Sequence, residues 1–324
     1  MIEIVFWITI FFASYLLIYF SADFFLDNLK ELCLILQLSP FVIGLLVLGI
    51  DLEESIASII AAVNGLPIIA VGNVMGNSII SLTLCFALPA LLQDIDLKSI
   101  SSFYFIILYS CLGAILFSFL ISFGLFIFGI ITLILYAVYV FNSLKVLSKK
   151  KKIDLIDMNE VTEEIKGWST DTNPHLKLKK IFFIILGFCL ILLGGEFLII
   201  SAENIIMLTG LNEAFFGFII IAFVTNVEEL TLVFKSIKKK SVEIGLGGMI
   251  GKLIWNLSFT YGISGIIAVV IDISVILIIN WLFLLCLILF YQVKSKTHSL
   301  NRTDGVILLV FFIVFIITNI LTTI

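Results

Sequence analysis

Runs of about 20 predominantly apolar residues, the length that crosses the hydrocarbon core of a bilayer, recur from end to end of this chain and are separated only by short polar breaks. No motif constrains the fold as strongly. Inside lipid every backbone N–H and C=O must be satisfied by the chain itself, so a spanning segment is either a helix or a strand of a closed barrel. Continuous apolar runs of this length are helical. Hydrophobic residues fill 61% of the 324 positions, well above the share in a soluble domain. The expected fold is an all-α polytopic membrane protein of about ten transmembrane helices. They start near Ile4, Leu36, Ile68, Phe103 and Leu125 in the first half, and near Ile181, Glu213, Ile244, Val275 and Gly305 in the second. The brief connection between the spans near Phe103 and Leu125 leaves nine or eleven as alternatives. The first run carries Glu3 as its only early charge and lacks a basic leader and a small-residue cleavage site, so it reads as a retained helix.

The lysines supply an orientation. With the N-terminus outside and ten spans, every basic residue of the 19 except Lys252 falls in a cytoplasmic loop, and the C-terminus is outside as well. This is the bias that sets topology in membrane proteins. The one long polar stretch, residues 145–180, mixes the run Lys149 to Lys152 with Asp154, Asp157, Glu160, Glu163 and Glu164. It reads as a solvated cytoplasmic linker, with an ion-sensing loop as the alternative. It divides the chain into an N-terminal membrane repeat (1–144), the charged loop (145–180) and a C-terminal membrane repeat (181–324). The abundance of Ile, Phe and Lys and the compact plan suggest a prokaryotic plasma membrane.

Enzymatic chemistry has no foothold in the sequence. The five cysteines are scattered without metal or disulfide spacing. His175 and His298 fall in predicted loops, and no nucleophile–base set, zinc spacing or phosphate-binding loop stands out. Nothing marks a nucleic-acid partner.

The two halves repeat one another. Glu229 follows Glu54 by 175 positions, and Gly247 follows Gly72 by the same interval. The first copy reads GIDLEES and then AVGNVMGNSIIS, while the second reads VTNVEEL and then GLGGMIGKLIWN. Upstream, Asp23 aligns with Glu196 once two residues are gapped. Five spans per half is odd, so the second copy must be inverted in the membrane. Inverted repeats are the plan of secondary transporters, whose binding sites lie near the midplane where the copies meet.

Buried charge marks that site. Asp51, Glu53 and Glu54 interrupt the second span, and Glu228 and Glu229 the seventh. A charge at the bilayer centre costs ~2.5–3.5 kcal/mol on insertion scales, so five acids at that depth need a role. Asp51 and Glu54 are three apart and share a helix face, as do Asn226 and Glu229. Carboxylates joined by amides and hydroxyls suit hard cations, and Thr225, Asn226, Asn73, Asn77 and Ser78 extend the supply of neutral oxygens. Glu53 and Glu228 point about 100° away on an ideal helix, toward a vestibule or the interface, where they would modulate the site. The plainer alternative has the acids pairing with Lys252 to hold helices together. Gly72 with Gly76, and Gly247 with Gly251, have the spacing of close helix packing. They are expected to bring the third span against the second and the eighth against the seventh.

At these residues the chain resembles the cation:calcium antiporter superfamily, the Na⁺/Ca²⁺ exchangers in particular. Each repeat of that family carries G-T-S-x-P-E-L and then G-N-x-x-G-S-N or a variant ending in Asp. Gly49 and Glu54 match the first stretch here, and Thr225, Glu229 and Leu230 match its second copy. Gly72, Asn73 and Gly76 match one glycine motif, and Gly247 and Gly251 the other. The resemblance implies alternating access, a sliding bundle formed by the first and sixth spans, and Glu54 and Glu229 as central ligands. The departures are specific. Asp51 and Asn226 stand where the family has Ser, and Glu53 and Glu228 replace its helix-breaking Pro, which leaves the helix break less assured. Ser78 and Leu253 replace the closing ligand of the glycine motif, and Lys252 replaces the Ser before it.

These residues give a metal-ligating set of Glu54, Glu229, Asp51, Asn226, Thr225, Asn73, Asn77 and Ser78, modulated by Lys252, Glu53 and Glu228. The Lys252 ammonium is expected to occupy one cation position, and loss of its proton on ion entry would couple transport to H⁺. The expected activity is secondary active antiport of Ca²⁺ or a similar divalent against Na⁺, with no resident cofactor. The partners are the transported inorganic cations and the lipid bilayer, and the oligomeric state is open. Cation/proton exchange and a degenerate, non-transporting scaffold are the alternatives.

Overall fold

A computed structural model of the chain describes residues 2–35, 51–97, 102–149, 174–226, 229, 250–297 and 299–322. Ten helices follow one another among these residues. They are α1 (Ile2–Ile35), α2 (Leu52–Val63), α3 (Pro67–Leu92), α4 (Ser102–Leu120) and α5 (Gly124–Lys149), then α6 (Pro174–Thr209), α7 (Glu213–Thr225), α8 (250–268), α9 (Val275–Thr297) and α10 (Arg302–Leu321). Each falls on one of the ten expected spans, although the starts of the second and eighth spans and the end of the seventh lie outside the described residues. Seven of them, α1, α3, α4, α5, α6, α9 and α10, are long and apolar enough to cross a bilayer. The described part of α7 is a shorter apolar helix, and α2 carries the buried Glu53 and Glu54. His175 falls in the first turn of α6 instead of in a loop.

Burial sorts the helices into layers. In α3, 78% of the apolar window is buried inside the protein, against 22% in α5, so α3 is central and α5 faces lipid. The helix α3 starts at Pro67, where the missing N–H is no loss, after a turn in which Gly65 takes φ +76°. The start of α10 is closed by a reciprocal cap between Asn301 and Asp304. Buried Asp304 also holds Lys294 at 2.6 Å. Asn280 of α9 and Asn319 of α10 exchange two hydrogen bonds of 2.9 Å, which satisfies two amides that lipid could not.

The halves run in opposite senses. Helices α1 and α6 pack antiparallel: Gly187 meets Phe25, Gly194 meets Ile18, and Lys180 at the start of α6 pairs with Glu31 and donates to Asn28 Oδ1 (3.1 Å) near the end of α1. A two-residue antiparallel pairing, β1 (Ile95–Asp96) with β2 (Ser299–Leu300), joins the α3–α4 and α9–α10 connections on one face, as an even number of crossings between them requires. The repeat is also visible in backbone detail. Widened π-type turns occupy Ser81–Cys85 in α3 and Trp255–Thr260 in α8, and these overlap when one half is shifted by the repeat interval. Such turns are frequent at functional sites.

The glycine motif packs differently from the expectation. Gly72 and Gly76 face α7, not α2. A Cβ at Gly72 would lie 3.2 Å from Phe218 N, and one at Gly76 would overlap the Phe218 carbonyl. The motif therefore joins the two repeats, while α2 and α3 share an apolar cluster that includes Ala57, Ala61, Ile69 and Ala70. A Cβ at Gly251 would lie 3.7 Å from the Tyr139 hydroxyl of α5, while Gly247 lies outside the described residues.

Candidate functional site

The site is built at two helix ends. Asp51 has non-helical dihedrals (φ −101°, ψ 89°) and caps α2, its side chain accepting from Glu54 N at 3.4 Å. A short acid that accepts an orphan N–H starts a helix without any need for proline, and the positive end of α2 favours the carboxylates beside it. Ser55 donates to the Asp51 carbonyl at 2.5 Å. In the other repeat the described run of α7 ends at Thr225 with Asn226 as its cap, and the Asn226 amide donates to the Ala222 carbonyl (2.8 Å). The repeat-related positions Asp51 and Asn226 thus both mark helix ends.

Across this junction three carboxylates converge. Asp51, Glu54 and Glu229 are buried, and one ligand oxygen from each lies within 4.8 Å of the others. Lys252 of α8 enters the group, its Nζ 2.6 Å from Glu229 Oε1 and 3.9 Å from Asp51 Oδ2. Glu54 Oε1 and Asn73 Oδ1 are buried and accept no hydrogen bond among the described residues. Buried acceptors left unsatisfied are costly, and hard oxygens of this kind suit a bare cation. Asp51, Glu229 and Lys252, with Asn77, Ser78 and Ser81, line a cavity of about 10 Å³, about the room one water or one bare ion occupies. Glu53 is buried (4% exposed) but stands outside the group of three, enclosed rather than open to a vestibule. Glu228 lies outside the described residues.

The neutral residues divide into two groups. Asn77 donates to Thr225 Oγ1 (3.2 Å), and Asn226 donates to the Asn77 carbonyl (3.3 Å) while accepting from Ser81 (2.7 Å). These bonds stitch α3 to α7 beside the carboxylates. Asn73 donates to Ser58 Oγ (2.8 Å) and the Glu54 carbonyl (3.3 Å), tying α3 to α2. Ser78 turns its proton to the Val74 carbonyl (2.8 Å), which leaves its lone pairs toward the cavity it lines.

Asn256 and Ser81 line the cavity too, and sequence reasoning passed over both. Asn256 donates to Glu54 Oε2 and to Asn77 Oδ1 (3.4 Å), so it crosses from the second repeat to the first. Replacing Asn256 by Ala strips a buried carboxylate oxygen of its donor. The expected loss is ~1–3 kcal/mol, seen as a lower melting temperature of detergent-purified protein in cation-free buffer. An unchanged melting temperature would show that the bond carries no weight.

A family model described as "Sodium/calcium exchanger protein" matches residues 6–145 and 179–321, which takes in both helical halves and leaves out the charged segment between them. The chain belongs to this family. It is therefore an integral membrane protein of a transporter family and not an enzyme. A putative antiporter, CaxA of Alkalimonas amylolytica, is 28% identical over 310 residues, covering 92% of this chain and 93% of its own. The sodium/calcium exchanger MaX1 of Methanosarcina acetivorans is 23% identical over 92% of this chain and 93% of its own. Among solved structures, that of the sodium-calcium exchanger NCX_Mj superposes with a TM-score of 0.56 at 20% identity, covering 96% of this chain and 98% of that one. At that identity it speaks for the fold, the same helical membrane architecture.

Proposed function

We propose that this exchanger-family protein is a secondary active antiporter that exchanges a divalent cation, Ca²⁺ being the leading candidate, for Na⁺ by alternating access around Asp51, Glu54 and Glu229. One observation carries the reading. Three buried carboxylates drawn from both repeats hold ligand oxygens within 4.8 Å of one another, deep in a protein whose helices are apolar enough to span lipid. Acids in that position are costly unless a cation meets them. The names of two relatives, an antiporter and a sodium/calcium exchanger, support the class. The antiparallel pair α1 and α6 supports the mechanism, since it packs as a unit and meets α2 through Gly195 against Ile56 and Ile60, where sliding would open the site to one side and then the other. Asn73, Asn77, Ser78, Thr225 and Asn226 are assigned to the walls and outer ligands of the site. The N- and C-termini are assigned to the outside of a prokaryotic plasma membrane, with residues 145–180 as a cytoplasmic linker between the membrane repeats.

Purified protein in liposomes is expected to accumulate ⁴⁵Ca²⁺ when an outward Na⁺ gradient is imposed. Uptake under a pH gradient and not under a Na⁺ gradient would replace Na⁺ by H⁺ as the driving ion. Absence of flux under both gradients, from protein with an intact melting transition, would defeat the antiporter assignment in favour of a membrane scaffold.

A further inference from the structure

We infer that Lys252 is a tethered monovalent cation that fixes the exchange at one divalent for two monovalent ions and makes it electrically silent. The inference rests on the antiporter reading and adds what that reading leaves open, namely how much charge crosses per cycle.

The charge count is local. The converging group consists of Asp51, Glu54 and Glu229, and the one cation among its described neighbours is Lys252, held at 2.6 Å from Glu229 and 3.9 Å from Asp51. Three carboxylates and one ammonium leave a net charge of −2. A lysine so placed takes up carboxylate lone pairs that a mobile cation would otherwise claim. Next to it, buried Leu253 gives the cavity an apolar wall, so no extra oxygen compensates on that side.

A net charge of −2 is cancelled by one divalent cation or by two monovalent ones. Uncompensated charge at the midplane is strongly disfavoured, so the neutral loadings are the ones that pass between inward- and outward-facing states. One divalent then returns against two monovalents, and no net charge crosses the membrane. The result holds whether the monovalent ion is Na⁺ or H⁺, because the protein's own charge sets it.

The test is ⁴⁵Ca²⁺ accumulation in proteoliposomes under a fixed gradient of the driving ion, with the membrane potential clamped by K⁺ and valinomycin. Moving one net charge per cycle would change the steady-state accumulation ratio about fiftyfold per 100 mV. The wild-type ratio is expected to stay constant within a factor of two. Lys252→Arg, which keeps the charge, should behave likewise. Lys252→Ser restores a third uncompensated carboxylate, so its calcium transport should acquire potential dependence or require a monovalent cation on the same side as calcium. A wild-type ratio that follows the potential would overturn the inference while leaving the antiporter reading intact. So would a Lys252→Ser protein that transports calcium with neither requirement. If wild type moves no calcium under either gradient, the antiporter reading falls first and this inference falls with it.

Discussion

Glu54→Gln is expected to reduce initial ⁴⁵Ca²⁺ uptake about a hundredfold without lowering the melting temperature of the protein. Glutamine has nearly the shape of glutamate and keeps an oxygen to accept from Asn256, which donates to Glu54 Oε2 across the repeat boundary. What it loses is charge. With Asp51, Glu229 and Lys252 left, the group falls from −2 to −1, and a bound divalent would carry one uncompensated positive charge at the midplane. The insertion cost of such a charge is ~2.5–3.5 kcal/mol, and each 1.4 kcal/mol is tenfold, which gives about two orders of magnitude. Glu229→Gln should lose transport to the same degree and stability as well, because it leaves Lys252 without the carboxylate held at 2.6 Å. Breaking a buried ion pair by removing one partner typically costs ~3–5 kcal/mol. Uptake within threefold of wild type in the Glu54→Gln protein would show that Glu54 is not a ligand, and equal stabilities of the two variants would show that Lys252 is not anchored by Glu229.

The fold was legible in the sequence because lipid allows few solutions. Apolar runs placed the ten helices, and register between the halves pointed to Asp51, Glu54, Glu229 and Lys252 as one group. Two features were harder. Asn256 and Ser81 were readable in principle: Asn73, Asn77 and Ser81 recur every fourth residue along α3, and Lys252, Asn256 and Thr260 do so along α8. Residues four apart share a helix face, so following each polar row by one more step would have found both. The π-type turns that begin at Ser81 and Trp255 leave no mark in composition, however, and they shift the local helical register. The helix start at Asp51 was obscured for a different reason. The familiar signal, a proline, is absent, and an aspartate cap starts the helix with a hydrogen bond instead.

The partner of the glycine motif lay beyond the reach of spacing altogether, and it gives the second large effect. Gly-xxx-Gly says that a backbone comes close, not which one. In the structure it is α7: a Cβ on Gly76 would overlap the Phe218 carbonyl, and one on Gly217 would lie 2.9 Å from Ile69 Cα. Both obstacles are backbone atoms, which cannot rotate aside as a side chain can. A larger residue must therefore separate α3 from α7, and that contact carries the Asn77–Thr225 and Ser81–Asn226 hydrogen bonds beside the carboxylates. Gly76→Val is expected to cost at least the ~1–3 kcal/mol of ordinary overpacking. The added loss of buried hydrogen bonds should leave little protein that elutes as a single species from size exclusion in mild detergent. Gly113→Ala is the matched control, since a Cβ there meets nothing within 4 Å, and removing a helical glycine should be neutral or gain ~0.5–1 kcal/mol. If Gly76→Val protein is recovered with wild-type yield and melting temperature, α3 and α7 are not held at this distance. The convergence of ligands from the two repeats would then need another cause. If it is lost while Gly113→Ala is retained, the contact between repeats is what holds the cation site together.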